Sequence, residues 1–578
     1  MSEQEAVAGA SAALARGDLL AAYDLAQRRA DAESPTLDYL KVLILARLGD
    51  TDRALQLYDV YGLGQREDVD ALALKARLLK DKGFGAGEPS VPILLEACKL
   101  YTSVYRRTRD AYPAINAATL AWIAGRKALA QLLARVTVRR TQAEIDPGYY
   151  GWATLAEALL VLGDMAGAAT ALGAAMAAPD ADAGKRSTTV LQLQRLARSL
   201  GGGAQVEALL AQIRPPRVAT YCGHIFTGGV DLERRLGASI RAAIETEQVG
   251  FAYGSLAAGA DIVIAEQLLA HGVELHVVLP VTEPDFIKQS VTPAGEGWLA
   301  RYTACRKAAA SLTLASNMSH VGGQGQFAYA SKVAMGMARL RARHLNGDAV
   351  QLAIAEEAAG SGTVTRSDIR SWRETGGRSV VIETEPLERP PRPQAPAEPE
   401  AIRHTHGLMF TDFPGYARLE ERVLPIFWRE VMGRAAQTLR AHGDNILHSN
   451  TWGDALYVVF ADVLSGTKAA LELCECFKEV DAGALGLRGG ATMRIALHYG
   501  PTYSGLDPVT GRTTYYGSEV ARAARIEPVT PPGSVYVTEP FAAILEMEPG
   551  HSFVCNYVGK VELPKGYGIY PLYHLKAA

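Results

Sequence analysis

The chain has no uninterrupted apolar run of about 18 residues, the length that a membrane-spanning helix requires. It also has no leader in which basic residues precede an apolar segment, so the sequence predicts neither a membrane span nor a signal peptide. Basic residues are not in excess: 59 lysines and arginines stand against 62 aspartates and glutamates, which gives a net charge of −3. That balance argues against nucleic acid as a partner.

Cysteine is scarce, and its spacing forms neither a metal-binding nor a disulfide pattern. The 578 residues include six cysteines, all at apolar positions: Cys98, Cys222, Cys305, Cys474, Cys476 and Cys555. Cys474 and Cys476 are too close together and too isolated for a zinc site. Buried thiols are typical of a reducing compartment, so we expect a cytoplasmic protein. A content of 48% hydrophobic and 21% charged residues is that of an ordinary soluble protein.

The length of the chain is enough for about three or four domains. Residues 1–213 are rich in alanine and leucine at helical spacing. Leu48-Gly49-Asp50 and Leu162-Gly163-Asp164 resemble the turn between paired helices of tetratricopeptide repeats, because glycine ends one helix and aspartate caps the next. The spacing is irregular, so we predict an all-α domain of degenerate helical repeats.

One segment of this helical region has a motif of its own. Residues 110–118, from Asp110 through Tyr112 and Asn116 to Ala118, resemble a signature of the TRAFs-binding region, a helical-repeat regulatory module named from stress-activated kinase kinases. The resemblance implies a groove for a protein partner. The alternative is a scaffold that packs on its own neighbouring domain, and both interpretations stay open.

The character of the sequence changes after Arg214-Pro215-Pro216. Residues 214–384 contain short apolar segments that alternate with helical ones, at 218–224, 249–254, 274–280, 349–354 and 378–382. Continuously apolar strands that alternate with helices predict a parallel, doubly wound α/β sheet. Ligands of such sheets bind beyond the carboxyl ends of the strands.

Three glycines, Gly223, Gly254 and Gly259, are predicted to lie at that carboxyl edge. Residues 254–261 resemble the glycine turn of a Rossmann-like superfamily that includes DNA-processing A proteins, lysine decarboxylase-like nucleotide hydrolases and nucleotide sensors. Helix-opening amides after such a turn can hold a phosphate, although the turn also serves strand-to-helix packing. The hydrolase signature Pro-Gly-Gly-x-Gly-Thr is absent, since the nearest run, residues 321–326, has neither the proline nor the threonine. We therefore expect a pocket for a nucleotide-like ligand without hydrolysis.

Residues 385–402 are rich in proline and polar side chains. This composition predicts an extended, semi-rigid linker between the middle domain and the last one.

The last region, residues 403–578, brings two acidic side chains to the ends of apolar segments. Residues 407–416 predict a buried strand that ends at Asp412 and is closed by a Pro-Gly turn. Residues 445–460 predict two strands joined by a short glycine-containing turn that holds Asp454. The hairpin can return Asp454 to the side of the sheet where Asp412 lies. Two carboxylates beside an open turn suit a divalent cation and a polyphosphate.

Three motifs in this region follow one another in a recognisable order and spacing. They are Phe410-Thr411-Asp412-Phe413-Pro414-Gly415-Tyr416, Trp452-Gly453-Asp454 and Gly517-Ser518-Glu519-Val520-Ala521-Arg522-Ala523-Ala524-Arg525-Ile526. Together they resemble the class III nucleotidyl cyclase domain. The resemblance implies an α+β ferredoxin-like fold and an enzyme that converts a nucleoside triphosphate to a cyclic nucleotide and pyrophosphate.

The same resemblance implies roles for individual residues. Asp412 and Asp454 would bind two Mg²⁺ or Mn²⁺ ions per site, with a further oxygen from the carbonyl of Phe413. Gly415 would lie where the triphosphate approaches the backbone. Arg525 matches the arginine that neutralises charge developing on phosphate, against the alternative of an ordinary helix-surface arginine.

Two positions depart from the family pattern. Ala521 stands where the family has an asparagine that contacts the ribose, and Asn450 stands where adenylate-forming members have a lysine that binds the purine edge. The second base-binding position is Thr514. An amide and a hydroxyl can hydrogen-bond to any base, so ATP is the expected substrate while GTP or a pyrimidine triphosphate stays open. Lys565 matches a family segment near the C-terminus from which it could reach phosphate, but a solvated turn lysine is the favoured interpretation.

Family sites form between two such domains, and this chain has one, so activity requires a homodimer with two equivalent sites. The sequence thus predicts a homodimeric adenylate cyclase that its N-terminal domains regulate. One alternative is a catalytically silent nucleotide-binding scaffold, which Ala521 and Asn450 favour. Another is a middle domain that hydrolyses nucleotides under the control of the cyclase domain.

Overall fold

The computed structural model describes residues 2–27, 34–66, 68–85, 87–201, 203–320, 325–356, 364–391, 403–483, 485–487 and 490–578. The chain divides into two compact units. The first unit is Met1–Pro216 with Arg343–Gly347, and the second is Arg217–Ala342 with Asp348–Ala578. Among the described residues, no helix is long and apolar enough to cross a bilayer.

The first unit is built from helices. They are α1 (Glu3–Ala15), α2 (Leu19–Gln27), α3 (Pro35–Leu48), α4 (Thr51–Val60), α5 (Val69–Gly83), α6 (Val91–Thr108), α7 (Ala111–Ile123), α8 (Lys127–Thr141), α9 (Gly148–Leu162), α10 (Met165–Ala177), α11 (Ala183–Ser199) and α12 (Ala204–Ile213). Small alanines and leucines fill the space between neighbouring helices, and most are fully buried. The predicted helical region is therefore confirmed.

The two Gly-Asp steps end helices where the sequence predicts. Gly49 and Gly163 take left-handed φ values of 86° and 85° after α3 and α9, a conformation that glycine adopts without strain. Asp164 then caps α10, since its carboxylate accepts from the amide of Gly167 at 2.8 Å. Asp50 occupies the same position before α4 but makes no such capping bond.

The motif at residues 110–118 opens α7 and is used inside the first unit. Asp110 caps the helix by accepting from the amide of Tyr112 at 2.8 Å. Asn116 is buried, accepts from Lys80 Nζ at 2.8 Å and donates to the carbonyl of Tyr112 at 3.0 Å. The polar groups of this motif therefore help to hold the helices together.

The second unit contains two sheets, of which the first is parallel. Its elements are β1 (Arg217–Gly223), α13 (Val230–Glu247), β2 (Val249–Gly254), α14 (Ala260–Ala270), β3 (Glu274–Leu279), α15 (Glu283–Ser290), α16 (Glu296–Ala308), β4 (Ser311–Leu314), α17 (Gly325–His344), β5 (Ala349–Glu356), α18 (Val364–Glu374) and β6 (Arg378–Thr384). The strand order is β4-β3-β2-β1-β5-β6, and every pairing is parallel. The predicted parallel sheet and its five strands are confirmed. The sequence missed β4, which has four residues, all of them only partly buried.

The second sheet is mixed and carries the acidic pair. Its elements are β7 (Arg403–Asp412), α19 (Leu424–Phe427), α20 (Gly433–Ala441), β8 (Ile446–Trp452), β9 (Ala455–Phe460), α21 (Val463–Cys476), β10 (Arg494–Leu506), β11 (Thr513–Tyr516), α22 (Ser518–Ile526), β12 (Val535–Thr538), α23 (Glu539–Glu546), β13 (Phe553–Leu563) and β14 (Gly568–Ala577). The order is β13-β14-β12-β10-β7-β9-β8, with β11 paired to β10. Only β10 and β12 pair in parallel among the described strands of this sheet.

The predicted linker is partly bound to the parallel sheet. The amide of Leu387 donates to Glu356 Oε1 at 2.9 Å, and Arg389 pairs with Glu356 Oε2 at 2.9 Å. The carbonyl of Glu388 accepts from the amide of Thr227 at 3.0 Å. Residues 392–402 of the linker lie outside the described residues.

The two sheets of the second unit meet where α17 packs on α23. A Cβ added at Gly336 of α17 would lie 1.9 Å from the carbonyl oxygen of Ala543, so only glycine allows this approach.

Replacing Gly336 with alanine should therefore destabilise the protein by about 1–3 kcal/mol, even though alanine has the higher helix propensity. The added methyl group would clash with the backbone of α23, which cannot move aside as a flexible side chain can. Denaturant unfolding measures the change. Gly237→Ala in α13 is the control, since its Cβ would meet only side-chain atoms at 3.5 Å and beyond, and equal stability of the two variants would contradict the prediction.

Candidate active site

The site is built where β7 and the β8–β9 hairpin end together. Asp412 is the last residue of β7, and the hairpin turns through Gly453 and Asp454 between the paired residues Trp452 and Ala455. Gly453 has a φ of 62°, the left-handed conformation that a two-residue hairpin turn requires. The backbone amide of Phe413 donates to Asp454 Oδ2 at 3.3 Å. The turn thus brings Asp454 beside the end of β7.

The two carboxylates influence one another. Burial raises the pKa of Asp454, and the neighbouring carboxylate of Asp412 raises it further. Both side chains are only partly buried, so the pair is open on one side. Two carboxylates held this close repel each other unless a proton or a cation lies between them. The pair therefore favours cation binding.

A third carboxylate, Glu527, faces the same pair. Burial and then the charge of Asp412 raise the pKa of Glu527 to about 7, although Arg494 acts in the opposite direction. Arg494 Nη1 lies 3.9 Å from Asp412 Oδ2 and 3.8 Å from Glu527 Oε1. One guanidinium thus lies between two of the three acids and compensates only part of their charge.

Sequence reasoning missed both Arg494 and Glu527. Arg494 opens β10 and is in register with Asp412 across the antiparallel β7–β10 pair. Only the knowledge that β10 pairs with β7 identifies it, because the two residues are far apart in sequence. Glu527 follows α22 and lies two residues after Arg525. Its position next to a motif residue could have identified it from the sequence as a candidate site residue.

The turn after Asp412 leaves the backbone accessible. Gly415 has a φ of 96°, so glycine is needed there for its backbone conformation. No atom lies within 4 Å of the place where a Cβ would be, so the space beside this residue is open. The carbonyl of Phe413 accepts from the amide of Tyr416 at 3.2 Å and keeps a second lone pair. A cavity of about 670 Å³ adjoins this turn, and its lining includes Pro414, Gly415, Arg418 and Arg422.

Asn450 and Thr514 lie on two of the described strands, β8 and β11, that do not pair in the sheet but contact each other. Asn450 is exposed on β8, and its Oδ1 accepts from the amide of Thr451 at 2.9 Å. Thr514 lies on β11, and His448 Nδ1 on β8 is 3.0 Å from the carbonyl of Thr513. The structure therefore brings the two predicted base-binding strands together.

Arg525 lies on α22, two residues before Glu527. It is in the last turn of α22 and is half-buried. Within the described residues, no hydrogen bond or ion pair joins Arg525 to Asp412 or Asp454. Ala521 is exposed one turn earlier, and Lys565 is exposed at a φ of 64° in the turn between β13 and β14. Within the described residues of one chain, the predicted catalytic arginine is thus neither hydrogen-bonded to nor ion-paired with the acidic pair.

The donor atoms at the acidic pair fit a hard divalent cation. Carboxylate and carbonyl oxygens are the ligands that Mg²⁺ and Mn²⁺ prefer, and Asp412, Asp454 and Phe413 supply both kinds. In the described parts of the chain, no three His, Cys, Asp or Glu side chains form a complete metal site. A centre of two carboxylates is a usual arrangement for Mg²⁺, whose other ligands are waters and phosphate oxygens.

At the carboxyl edge of the parallel sheet, the three predicted glycines are enclosed by protein atoms. A Cβ at Gly223 would lie 2.2 Å from Cβ of Ala260, and one at Gly254 would lie 2.6 Å from the ring of Tyr221. At Gly259, which has a φ of 90°, it would lie 2.5 Å from the amide nitrogen of Phe226. All three glycines are needed for packing. Of the run at 321–326, only the last two residues lie within the described residues.

Comparison with known proteins agrees with the two ends of the chain. Residues 402–577 match the family of the adenylate and guanylate cyclase catalytic domain, and residues 18–121 match the family named tetratricopeptide repeats-sensor. No curated protein sequence matches the chain. The C-terminal region is thus a class III nucleotidyl cyclase catalytic domain, and the N-terminal region is a tetratricopeptide-like sensor region.

Solved structures of cyclase domains are similar to part of the chain. The guanylate cyclase domain of RhGC from Catenaria anguillulae in complex with GTP is 18% identical, with a TM-score of 0.27, over 31% of this chain and 99% of that one. The adenylyl cyclase CyaB from P. aeruginosa is 17% identical, with a TM-score of 0.27, over 31% of this chain and 97% of that one.

Proposed function

We propose that the protein is a homodimeric nucleotidyl cyclase that converts ATP to 3′,5′-cyclic AMP and pyrophosphate under the control of its N-terminal regions. The observation that carries the proposal is the meeting of Asp412 and Asp454 beside the open Gly415 turn, in a domain that matches the cyclase family. In this reaction the 3′-hydroxyl oxygen attacks the α-phosphorus, the bond to the bridging oxygen breaks, and pyrophosphate leaves.

The acidic pair is the proposed metal centre. Asp412, Asp454 and the carbonyl of Phe413 would hold two Mg²⁺ or Mn²⁺ ions. Such ions, when bound, lower the pKa of a hydroxyl and neutralise triphosphate charge. The Gly415 turn leaves its backbone open to phosphate oxygens, and Arg418 adds positive charge on the wall of the adjoining cavity, where Arg422 is paired with Glu420.

Arg525 is the proposed catalytic residue, and a second copy of the chain would deliver it. Its guanidinium would neutralise charge that grows on the phosphate in the transition state, which raises kcat without tightening substrate binding. Arg525, Asn450 and Thr514 of one copy would complete the acidic pair of the other. The absence of a hydrogen bond or ion pair between Arg525 and either aspartate, among the described residues of one chain, is consistent with this arrangement.

Exposed apolar side chains supply a surface for the second copy. Trp452, Leu506 and Val509 are 67%, 72% and 91% exposed. They lie on the β8–β9 and β10–β11 hairpins, next to Asn450 and Thr514. Large exposed apolar residues are typical of protein interfaces, and a self-complementary surface gives two equivalent sites.

Base recognition rests on Asn450 and Thr514. An amide and a hydroxyl can each donate and accept, so they fit the adenine edge and also the edges of guanine, cytosine or uracil. Adenine is our first choice.

The alternative function is a silent nucleotide-binding scaffold. Ala521 favours it, because the methyl group of alanine cannot make the hydrogen bond to the ribose that the asparagine amide of the family makes.

We further propose that the parallel sheet is a Rossmann-like sensor of a nucleotide-like ligand. Support comes from two buried groups at its carboxyl edge, His224 Nε2 and Asp261 Oδ1, for which the described part of the chain offers no hydrogen-bond partner. Burial raises the pKa of Asp261 to about 6 even though Ser255 donates to it at 2.9 Å. A ligand with a donor and an acceptor would satisfy both groups.

The helical region is a candidate for binding a protein partner.

Pyrophosphate release tests the proposed reaction. We expect the full chain with Mn²⁺ to release pyrophosphate and form the cyclic product from ATP faster than from GTP, CTP or UTP. Excess chelator, which removes the ions that the acidic pair would hold, should abolish release. Bound nucleotide without any product, with all four triphosphates, would favour the scaffold.

A further inference from the structure

A buried carboxylate ties the two sheets of the second unit together. Glu519, in the first turn of α22, is 0% exposed and has three polar partners, two through hydrogen bonds and one through an ion pair. His498 Nε2 lies at 2.9 Å and Arg522 Nη1 at 2.8 Å, both from the mixed sheet and its helix. The third donor is Ser316 Oγ at 2.9 Å, from the segment between β4 and α17 of the parallel sheet. A carboxylate buried this deeply requires all its partners.

The protonation states in this cluster are consistent with one another. Burial lowers the pKa of His498, so the imidazole is neutral and donates through Nε2, while Nδ1 accepts from Thr538 Oγ1 at 2.8 Å. Burial acts to raise the pKa of Glu519, but the bond from His498 and the charge of Arg522 outweigh it and lower the pKa. Glu519 is thus an ionised acceptor whose position is fixed by its donors.

Residues 315–320, which we call the contact loop, touch α22 and the strand before it. Cε of Met318 would lie 3.5 Å from a Cβ at Gly517, the residue between β11 and α22. Asn317 Nδ2 donates to the hydroxyl of Tyr570 at 3.1 Å. The contact loop therefore lies against the junction that connects Thr514 on β11 with Arg525 on α22.

The other side of the contact loop is anchored to the carboxyl edge of the parallel sheet. The amide of Ala315 donates to the carbonyl of Leu279, the last residue of β3, at 2.9 Å. The amide of Thr282 donates to the carbonyl of Met318 at 3.3 Å, and the amide of His320 donates to Asp285 Oδ2 at 3.0 Å. One short segment is therefore fixed both to the edge where such sheets bind ligands and to the helix of Arg525.

We infer that Ser316 and Glu519 are positioning residues for the cyclase reaction: through their hydrogen bond the contact loop holds α22, and with it Arg525, in place. The inference rests on the proposed function of Arg525. Six residues along a helix span about 9 Å, so a small tilt at Glu519 is carried to Arg525. A displacement of about 1 Å of a group that acts in the transition state can cost 10²-fold in rate. A change at the carboxyl edge of the parallel sheet would reach the active site by this route.

The experiment replaces Ser316 with alanine in the full chain. Glu519 keeps His498 and Arg522, so we expect the fold to survive while the Ser316–Glu519 hydrogen bond between the sheets is lost. We expect kcat to fall on the order of tenfold with KM nearly unchanged, because the lost interaction acts on the transition state. We also expect faster amide hydrogen exchange in residues 518–526. Ser319→Ala is the matched control, since Ser319 is exposed and offers only its carbonyl to Arg403.

Other outcomes overturn the inference. An unchanged kcat would overturn it even if the amides of α22 exchange faster, because the Ser316–Glu519 hydrogen bond would then stabilise the fold without affecting the reaction. A rise in kcat would show that the contact loop restrains α22 instead of positioning it. A wild-type protein that turns over no triphosphate would reject the proposed function itself, and wild-type exchange rates in the Ser316→Ala variant would then reject the link between loop and helix.

Discussion

An equal mixture of Asp412→Ala and Arg525→Ala chains should recover about a quarter of the wild-type cyclase rate, because each site of the proposed homodimer takes its acids and its arginine from different copies. Alone, each variant should lose at least about 10²-fold in kcat, the usual cost of removing one group that stabilises transition-state charge. In a mixed dimer one site carries both changes and the other carries neither. Half of the dimers are mixed after random exchange of subunits, and half of their sites are intact.

The measurement is formation of cyclic nucleotide after the two proteins have exchanged subunits. A mixture of Asp412→Ala with Asp454→Ala is the matched control, since both changes affect the same half of the site and no combination restores it. Recovery in the control mixture, or none in the first mixture, would contradict the composite site. Activity of Asp412→Ala alone at the wild-type level would contradict the metal centre.

Replacing Glu519 with alanine should destabilise the second unit by about 3–5 kcal/mol, the cost of breaking a buried ion pair on one side. The change leaves Arg522 and His498 buried without this acceptor, and the hydroxyl of Ser316 loses the group to which it donates. Denaturant unfolding at neutral pH measures the loss. Glu562→Ala is the control, because Glu562 is exposed on β13 and surface substitutions usually change stability by about 0.5 kcal/mol or less.

The same pair of variants gives a pH dependence with a definite sign. The pKa of Glu519 is lowered in the folded protein from its ordinary value of 4.5. Its contribution to stability is therefore fully present above pH 4.5 and is lost as the pH falls through the folded-state pKa. We expect the difference between wild type and Glu519→Ala to shrink below that pH. A difference that grows in acid would contradict an ionised Glu519.

Much of the acidic site could be predicted from the sequence because its determinants are local. A strand that ends at Asp412 and a hairpin that turns at Asp454 are fixed by short patterns of apolar residues and glycine. The parallel sheet was predictable for the same reason, except for the four-residue β4, whose partly buried side chains give no clear pattern. The geometry at the glycines was not predictable, since the atoms that enclose Gly254 belong to Tyr221 on the neighbouring strand.

The residues that sequence reasoning missed are defined by tertiary contacts. Arg494 reaches Asp412 only through the pairing of β7 with β10. Ser316 and Glu519 are 203 residues apart in sequence, and neither stands in a pattern that indicates the other. A buried acid in the first turn of a helix looks like an ordinary favourable charge at a helix N-terminus until its donors are known.

The burial of Glu519, His498 and Arg522, whose side chains are 0%, 0% and 5% exposed, has a consequence for behaviour in salt. Dissolved ions screen exposed charges over a Debye length of about 8 Å at physiological ionic strength, but they act much less on charges from which water is excluded. Concentrated salt should therefore weaken an exposed pair such as Lys478 and Glu475 and leave the Glu519 cluster nearly intact. The hydrogen bond between the parallel sheet and α22 should then persist equally in dilute buffer and in concentrated salt.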